Sequence, residues 1–208
     1  MEPTAATREI AAEAARLIVE TGLEYSPAKA KAARALGRSG NSRSEMPTNE
    51  LVEDEVRSYL ELYCADTQPQ ELAALREVAA RWMERLGRLR PHLTGAVWRG
   101  TATRLSALRI ELYADDGKAP EIALINAGVD YDVDSLPAGH GPGGRHRREP
   151  IPVLTVASRS PELNDIVTVH LIIHDRDDLR GALKPDADGQ SWRGDAAALQ
   201  ARMAGASA

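Results

Sequence analysis

The side chains able to do chemistry gather in a few short stretches. Ala107, Arg109 and Glu111 alternate with Leu108, Ile110 and Leu112 in residues 107–113, reading ALRIELY. A period of two puts the first three on one face of a strand. Asp130, Asp132 and Asp134 also alternate, in VDYDVD. Carboxylates at that spacing can hold a divalent cation, and the same pattern suits an edge strand whose like charges deter pairing. The second reading is the more economical. Arg145, His146, Arg147 and Arg148 make the one dense basic run, inside a Gly- and Pro-rich loop over 135–150. It is either a solvated loop or an arm over a phosphate-bearing ligand. His170 and His174 share a strand face, but four residues along a strand is roughly 13 Å, too far to share a metal ion. They are expected to be exposed.

Other chemistries lack their residues. The chain has one cysteine, Cys64, so it forms no internal disulfide, and a reducing compartment is expected. Cys64 reads as a small buried residue of a helix. A single cysteine and scattered histidines do not make a zinc set. No Gly-x-Ser-x-Gly elbow occurs. The glycines of GHGPGG lack the Lys-Ser/Thr of a phosphate-binding loop. With 26 basic and 31 acidic residues the net charge is −5, so the whole chain is no trap for nucleic acid, although a local contact with a nucleic-acid end stays open. No apolar run approaches the roughly 20 residues that span a bilayer. The first residues lack an apolar leader core. The expectation is a cytoplasmic protein without a membrane partner.

The elements that must position these residues follow from periodicity. Helices are expected over 7–21, 26–36, 48–65 and 69–89. Ile10, Ala14, Leu17 and Ile18 mark the first stripe, and Leu75, Val78, Ala79, Trp82, Met83 and Leu86 the last. Ser26 and Thr48 read as N-caps. The second helix carries Lys29, Lys31 and Arg34 on one face, read as solvated. A short apolar segment spans 93–97. Strands are expected over 107–113, 129–134, 151–157 and 166–174, with a helix over 118–127 and a last one over 195–203. This is an α+β chain: a helical N-terminal region over 1–66, then a small mixed β-sheet with flanking helices over 67–208, ending in a tail helix.

Residues 95–106, GAVWRGTATRLS, resemble the nucleotidyltransferase superfamily, with its glycine turn after a strand, its Arg-Gly helix, and its Ser-Asp-hydrophobic-Asp strand. The resemblance covers roughly residues 67–156. It implies that Gly95 and Ala96 take the places of the Gly-Ser turn, that Arg99 and Gly100 take those of Arg-Gly, and that Ser106 is the serine before the acids. Those residues, with Arg109, would then contact a nucleotide phosphate. The resemblance also places Ala107 and Arg109 at the two positions where the family holds Mg²⁺. Both ligands are therefore missing, and the guanidinium of Arg109 takes the place of the cation. Glu111, two residues further along the same face, is the remaining catalytic or metal candidate. It would act with Asp130, Asp132 or Asp134 and otherwise pair with Arg109 or with solvent. Residues 177–185, DDLRGALKP, are similar to a segment found in a group of small bacterial proteins.

Three expectations follow. One is a nucleotidyltransferase-like pseudoenzyme that binds a nucleotide, a nucleic-acid end or a protein partner without a required cofactor. Another is an active enzyme that needs Mg²⁺ at Glu111. The last is a protein-interaction module with no nucleotide.

Overall fold

The structure is a computed structural model and describes residues 3–38, 45–137, 149–184, 189 and 191–205. The chain divides into two compact units. One comprises residues 1–72 with 101–106, the other residues 73–100 with 107–208.

The first unit is built from α1 (Ala5–Thr21), α2 (Tyr25–Ala35) and α3 (Asn49–Tyr63), with the first turn of α4 (Gln68–Arg85). The caps are chemical. Thr4 accepts the Thr7 N–H at 3.2 Å, and Thr48 accepts the Leu51 N–H at 3.2 Å, each satisfying an orphan donor of a first turn. Ser26 is not the cap of α2. The helix begins one residue earlier, with Glu24 at the cap position and Pro27 within the first turn, where no N–H is needed. The core joins Ile10, Leu17, Val52, Val56 and Leu60 to Ala11, Ala14, Ala28 and Ala32, whose small side chains allow close helix approach. On the basic face of α2, Lys29 donates to Asn49 Oδ1 at 2.8 Å and Arg34 donates to the Ala30 carbonyl at 3.2 Å. Cys64 closes α3 and is half-buried, and burial pushes its thiol pKa up.

Residues 101–106 belong to this unit as a pinned loop. Gln68 donates to the Ala102 carbonyl at 2.9 Å, Glu71 accepts the Arg104 N–H at 2.9 Å, and Ser106 Oγ accepts the Thr103 N–H at 3.0 Å. Gly22 ends α1 with φ +69°, and a Cβ there would lie 2.7 Å from the Leu105 carbonyl oxygen, so both the turn and the approach demand glycine.

The second unit holds the rest of α4 and a mixed sheet of six strands. These are β1 (His92–Thr94), β2 (Leu108–Ala114), β3 (Asp132–Leu136), β4 (Ile151–Ser160), β5 (Asp165–Asp175) and β6 (Arg193–Gly194). The order is β3-β4-β5-β2-β1-β6, with β2 and β5 parallel and every other pair antiparallel. Around it lie α5 (Gly95–Arg99), α6 (Ala119–Asn126), α7 (Leu179–Ala182) and α8 (Ala196–Gly205). Helices before and beside a mixed sheet make the α+β class that the periodicity implies. No helix among the described residues is long and apolar enough to cross a membrane.

One sheet face is apolar. Leu108, Ile110 and Leu112 are fully buried there beside Val169 and Leu171. Trp82 of α4 packs over the same face and donates its indole N–H to Ser158 Oγ at 2.9 Å. Trp82 and Met83 are core residues, as their spacing implies. The other face departs from expectation. The period-two alternation of β2 implies a half-buried strand, but Glu111 is 8% and Tyr113 0% exposed. Arg193 and Tyr113 cover Glu111, and the rings of His92 and His174 flank Tyr113. The apolar segment over 93–97 splits into the end of β1 and the start of α5, because Gly95 turns the chain at φ +74°. Strand β3 starts at Asp132, so Asp130 precedes it, and it is the sheet edge that its alternating acids imply.

Candidate functional site

The polar face of the sheet carries one unbroken row across all six strands. Arg193 of β6 is in register with Thr94 of β1, which faces Arg109 of β2. Arg109 faces His170 of β5, then Thr155 of β4, then Asp132 of β3. Neighbouring strands are about 4.8 Å apart, so adjacent members of the row are in reach of one ligand. Two guanidiniums, two hydroxyls and an imidazole make its first five positions, all suited to an oxyanion. Thr155 Oγ1 and His170 Nδ1 are 3.0 Å apart and hydrogen-bonded. The glycine at position 95 serves Arg109 directly, since a Cβ there would lie 3.3 Å from Arg109 Cδ. The turn that precedes α5 therefore leaves room for this side chain.

Behind that row lies a buried ionic network. Arg193 Nη1 donates to Glu111 Oε2 at 2.7 Å and to the Tyr113 hydroxyl oxygen at 3.0 Å, while the Tyr113 hydroxyl donates to the same carboxylate oxygen at 2.6 Å. His174 lies with Nε2 3.9 Å from Glu111 Oε1 and its ring stacked on Tyr113 at 5.3 Å. His92 meets the other edge of Tyr113 in a T-shaped contact at 5.5 Å. Burial first, then the Glu111 charge, pushes the Tyr113 pKa well above the usual phenol value. Tyr113 is thus a fixed hydrogen-bond donor at any working pH. Glu111 pairs with Arg193 and Tyr113, in place of Arg109 or solvent. His174 is 4% exposed and His170 half-buried, against the expectation of exposed histidines, because β5 is an interior strand and Tyr113 covers His174.

The residues singled out from the sequence separate into three places. Gly95, Ala96, Arg99 and Gly100 form or end α5, where Gly100 N–H donates to the Ala96 carbonyl at 2.8 Å and Arg99 lies over the Trp192 ring at 5.4 Å. Arg109 and Glu111 are on β2, and Ser106 is in the loop of the first unit, its hydroxyl engaged by Thr103. Glu111 and the acids of β3 do not converge. Strands β5 and β4 stand between them, so three strand spacings, about 14 Å, separate Asp132 or Asp134 from β2. Asp130, before β3, is exposed. Among the described residues no three His, Cys, Asp or Glu side chains gather to hold a metal ion. The basic run 145–148 lies outside the described residues.

Arg193 is the member that sequence reasoning missed. It sits in a polar, turn-rich stretch with no periodicity, and its two-residue strand is visible only through pairing with β1. Tyr113 was legible as a strand residue but not as the donor to Glu111. No family model, curated protein or solved structure matches the chain.

Proposed function

We propose that this protein is a nucleotidyltransferase-like pseudoenzyme that binds a phosphate-bearing ligand, of the nucleotide class, on the polar face of its sheet without a divalent ion at Glu111. The supporting observation is the place of Arg109, at the centre of the cross-strand row and beside the Gly95 turn, where the resembling family carries a metal-binding carboxylate. A guanidinium there can take the phosphate charge itself. The reading of an active Mg²⁺ enzyme is the weaker one, since Glu111 is already engaged by Arg193 and Tyr113. A reducing, cytoplasmic setting suits a chain with one unoxidised thiol.

Calorimetric titration with ATP, CTP, GTP and UTP, with and without Mg²⁺, tests the reading. Binding is expected to be independent of Mg²⁺. Arg109→Ala should weaken it by tenfold to a hundredfold, roughly the value of a charge-assisted hydrogen bond. Absence of binding for all four nucleotides would favour a protein-interaction module instead.

A further inference from the structure

Away from that face, two arginines of the second unit share a position at the end of α5. Arg76 of α4 is 8% exposed, and its Nε donates to the Val97 carbonyl at 3.4 Å. Arg202 of α8 donates from Nη1 to the next carbonyl, that of Trp98, at 3.3 Å. Successive carbonyls belong to Cα atoms only about 3.8 Å apart, so both guanidiniums meet at the end of α5. Arg202 is held flat, its Cζ 3.9 Å from the centroid of the Trp98 ring. Among the described residues neither arginine has an ion-pair partner. Among the described residues, a backbone carbonyl accepts from each. Burial first, then the positive charge of Arg202, holds the Arg76 pKa below its ordinary value.

An arginine cannot shed its proton to relieve this arrangement. Two adjacent cations, one of them largely desolvated, are costly without a counter-charge. A five-residue helix offers little compensating dipole. The remaining donors of the two forks come from different helices, α4 and α8, and they suit a group with several acceptor oxygens and up to two negative charges. That description fits phosphate better than a carboxylate, which brings one charge.

We propose that Arg76 and Arg202 form a separate phosphate site at the end of α5. It is independent of Arg109. Trp98, on which Arg202 lies, packs against Gly194, and Gly194 pairs with Leu93 on the sheet face opposite Arg109. The ligand class is an inorganic or terminal phosphate group.

The test is titration with inorganic phosphate at constant ionic strength, read by calorimetry and by the rise in melting temperature. The wild type and Arg109→Ala are compared, with Arg202→Gln and Arg76→Lys each added to Arg109→Ala. Arg202 is exposed, so its replacement leaves the fold intact, and Arg76→Lys keeps the charge while removing the fork. Arg109→Ala, which removes the polar-face contact, is expected to retain phosphate binding at the α5 site. Added to Arg109→Ala, Arg202→Gln should weaken this remaining binding at least tenfold, with Arg76→Lys in between. Absence of phosphate binding in the wild type overturns the proposal. So does undiminished binding when Arg202→Gln is added to Arg109→Ala. Loss in Arg109→Ala alone assigns phosphate to the polar face and refutes a second site.

Discussion

Replacing Glu111 by Gln separates a structural carboxylate from a metal-binding one. The side chains of Glu111 and Arg193 are 10% and 14% exposed and meet at 2.7 Å. Gln preserves the shape and an acceptor for Tyr113, so the main loss is the charge opposite Arg193. Removing one partner of a buried pair costs about 3–5 kcal/mol, and the residual exposure of Arg193 argues for the lower end. With a urea slope of about 2 kcal/mol per molar, the midpoint of the second unit should fall by roughly 1.5 M. Urea unfolding followed by circular dichroism, with and without Mg²⁺, reads this directly. A Glu111→Leu, Arg193→Met double variant should regain part of the loss, because it leaves no orphan charge. The reasoning fails if Glu111→Gln matches the wild type within about 0.5 kcal/mol, the range of ordinary surface substitutions. It fails also if Mg²⁺ stabilises the wild type and the variant has lost that response, which would make Glu111 a metal ligand.

Other perturbations have similarly local causes. A Cβ at Gly194 would lie 2.0 Å from the Trp98 ring, so Gly194→Ala should cost about 1–3 kcal/mol in chemical unfolding, and much less in a Trp98→Ala background. Thr48→Ala removes the cap of α3 and should lower stability by about 1 kcal/mol, measured by the same method. Glu13 is hydrogen-bonded by Arg16, which holds its carboxyl below the ordinary 4.5. A depressed folded pKa means that the stabilisation is present above the ordinary value and lost as pH falls through the folded one. Unfolding midpoints of Glu13→Gln between pH 7 and acid should therefore show a shallower acid limb than wild type. The Tyr59 hydroxyl donates to Glu20 at 2.7 Å, which pushes its pKa up to about 12. Ultraviolet titration of Tyr59→Phe should lose a late-ionising phenol, and loss of an ordinary one instead would contradict the contact.

The sequence carried the fold wherever a period ran long enough. The apolar positions Val167, Val169, Leu171 and Ile173 of β5 and the Leu and Trp spacing of α4 reflect a buried face, and burial is written in the residues themselves. The site was less legible because its partners come from distant strands. Arg109 was singled out only through the resemblance to the nucleotidyltransferase superfamily, and its neighbours Thr94 and His170 depend on which strands pair. Nothing local distinguishes Arg193 from the other arginines of a polar stretch. Its role exists only once two residues of β6 pair with β1. The same holds for Arg76, whose burial against the Val97 carbonyl is a property of the packed helices. The cap at Ser26 failed for a different reason, since Ser-Pro is equally compatible with the cap and with the first turn.

The position of β6 has a kinetic consequence. Strand β1 pairs with a segment about a hundred residues further on, and the parallel pair of β2 and β5 is separated by some sixty. Such non-local closures are slow, because the loop entropy is lost before the contacts form. During synthesis the sheet cannot seal the β1 side until Arg193 and Gly194 emerge, whereas the hairpins of α1, α2 and α3 rest on near neighbours and can form early. A nascent chain stalled before residue 193 would therefore present helices and an open strand edge to its surroundings, the state most in need of a chaperone.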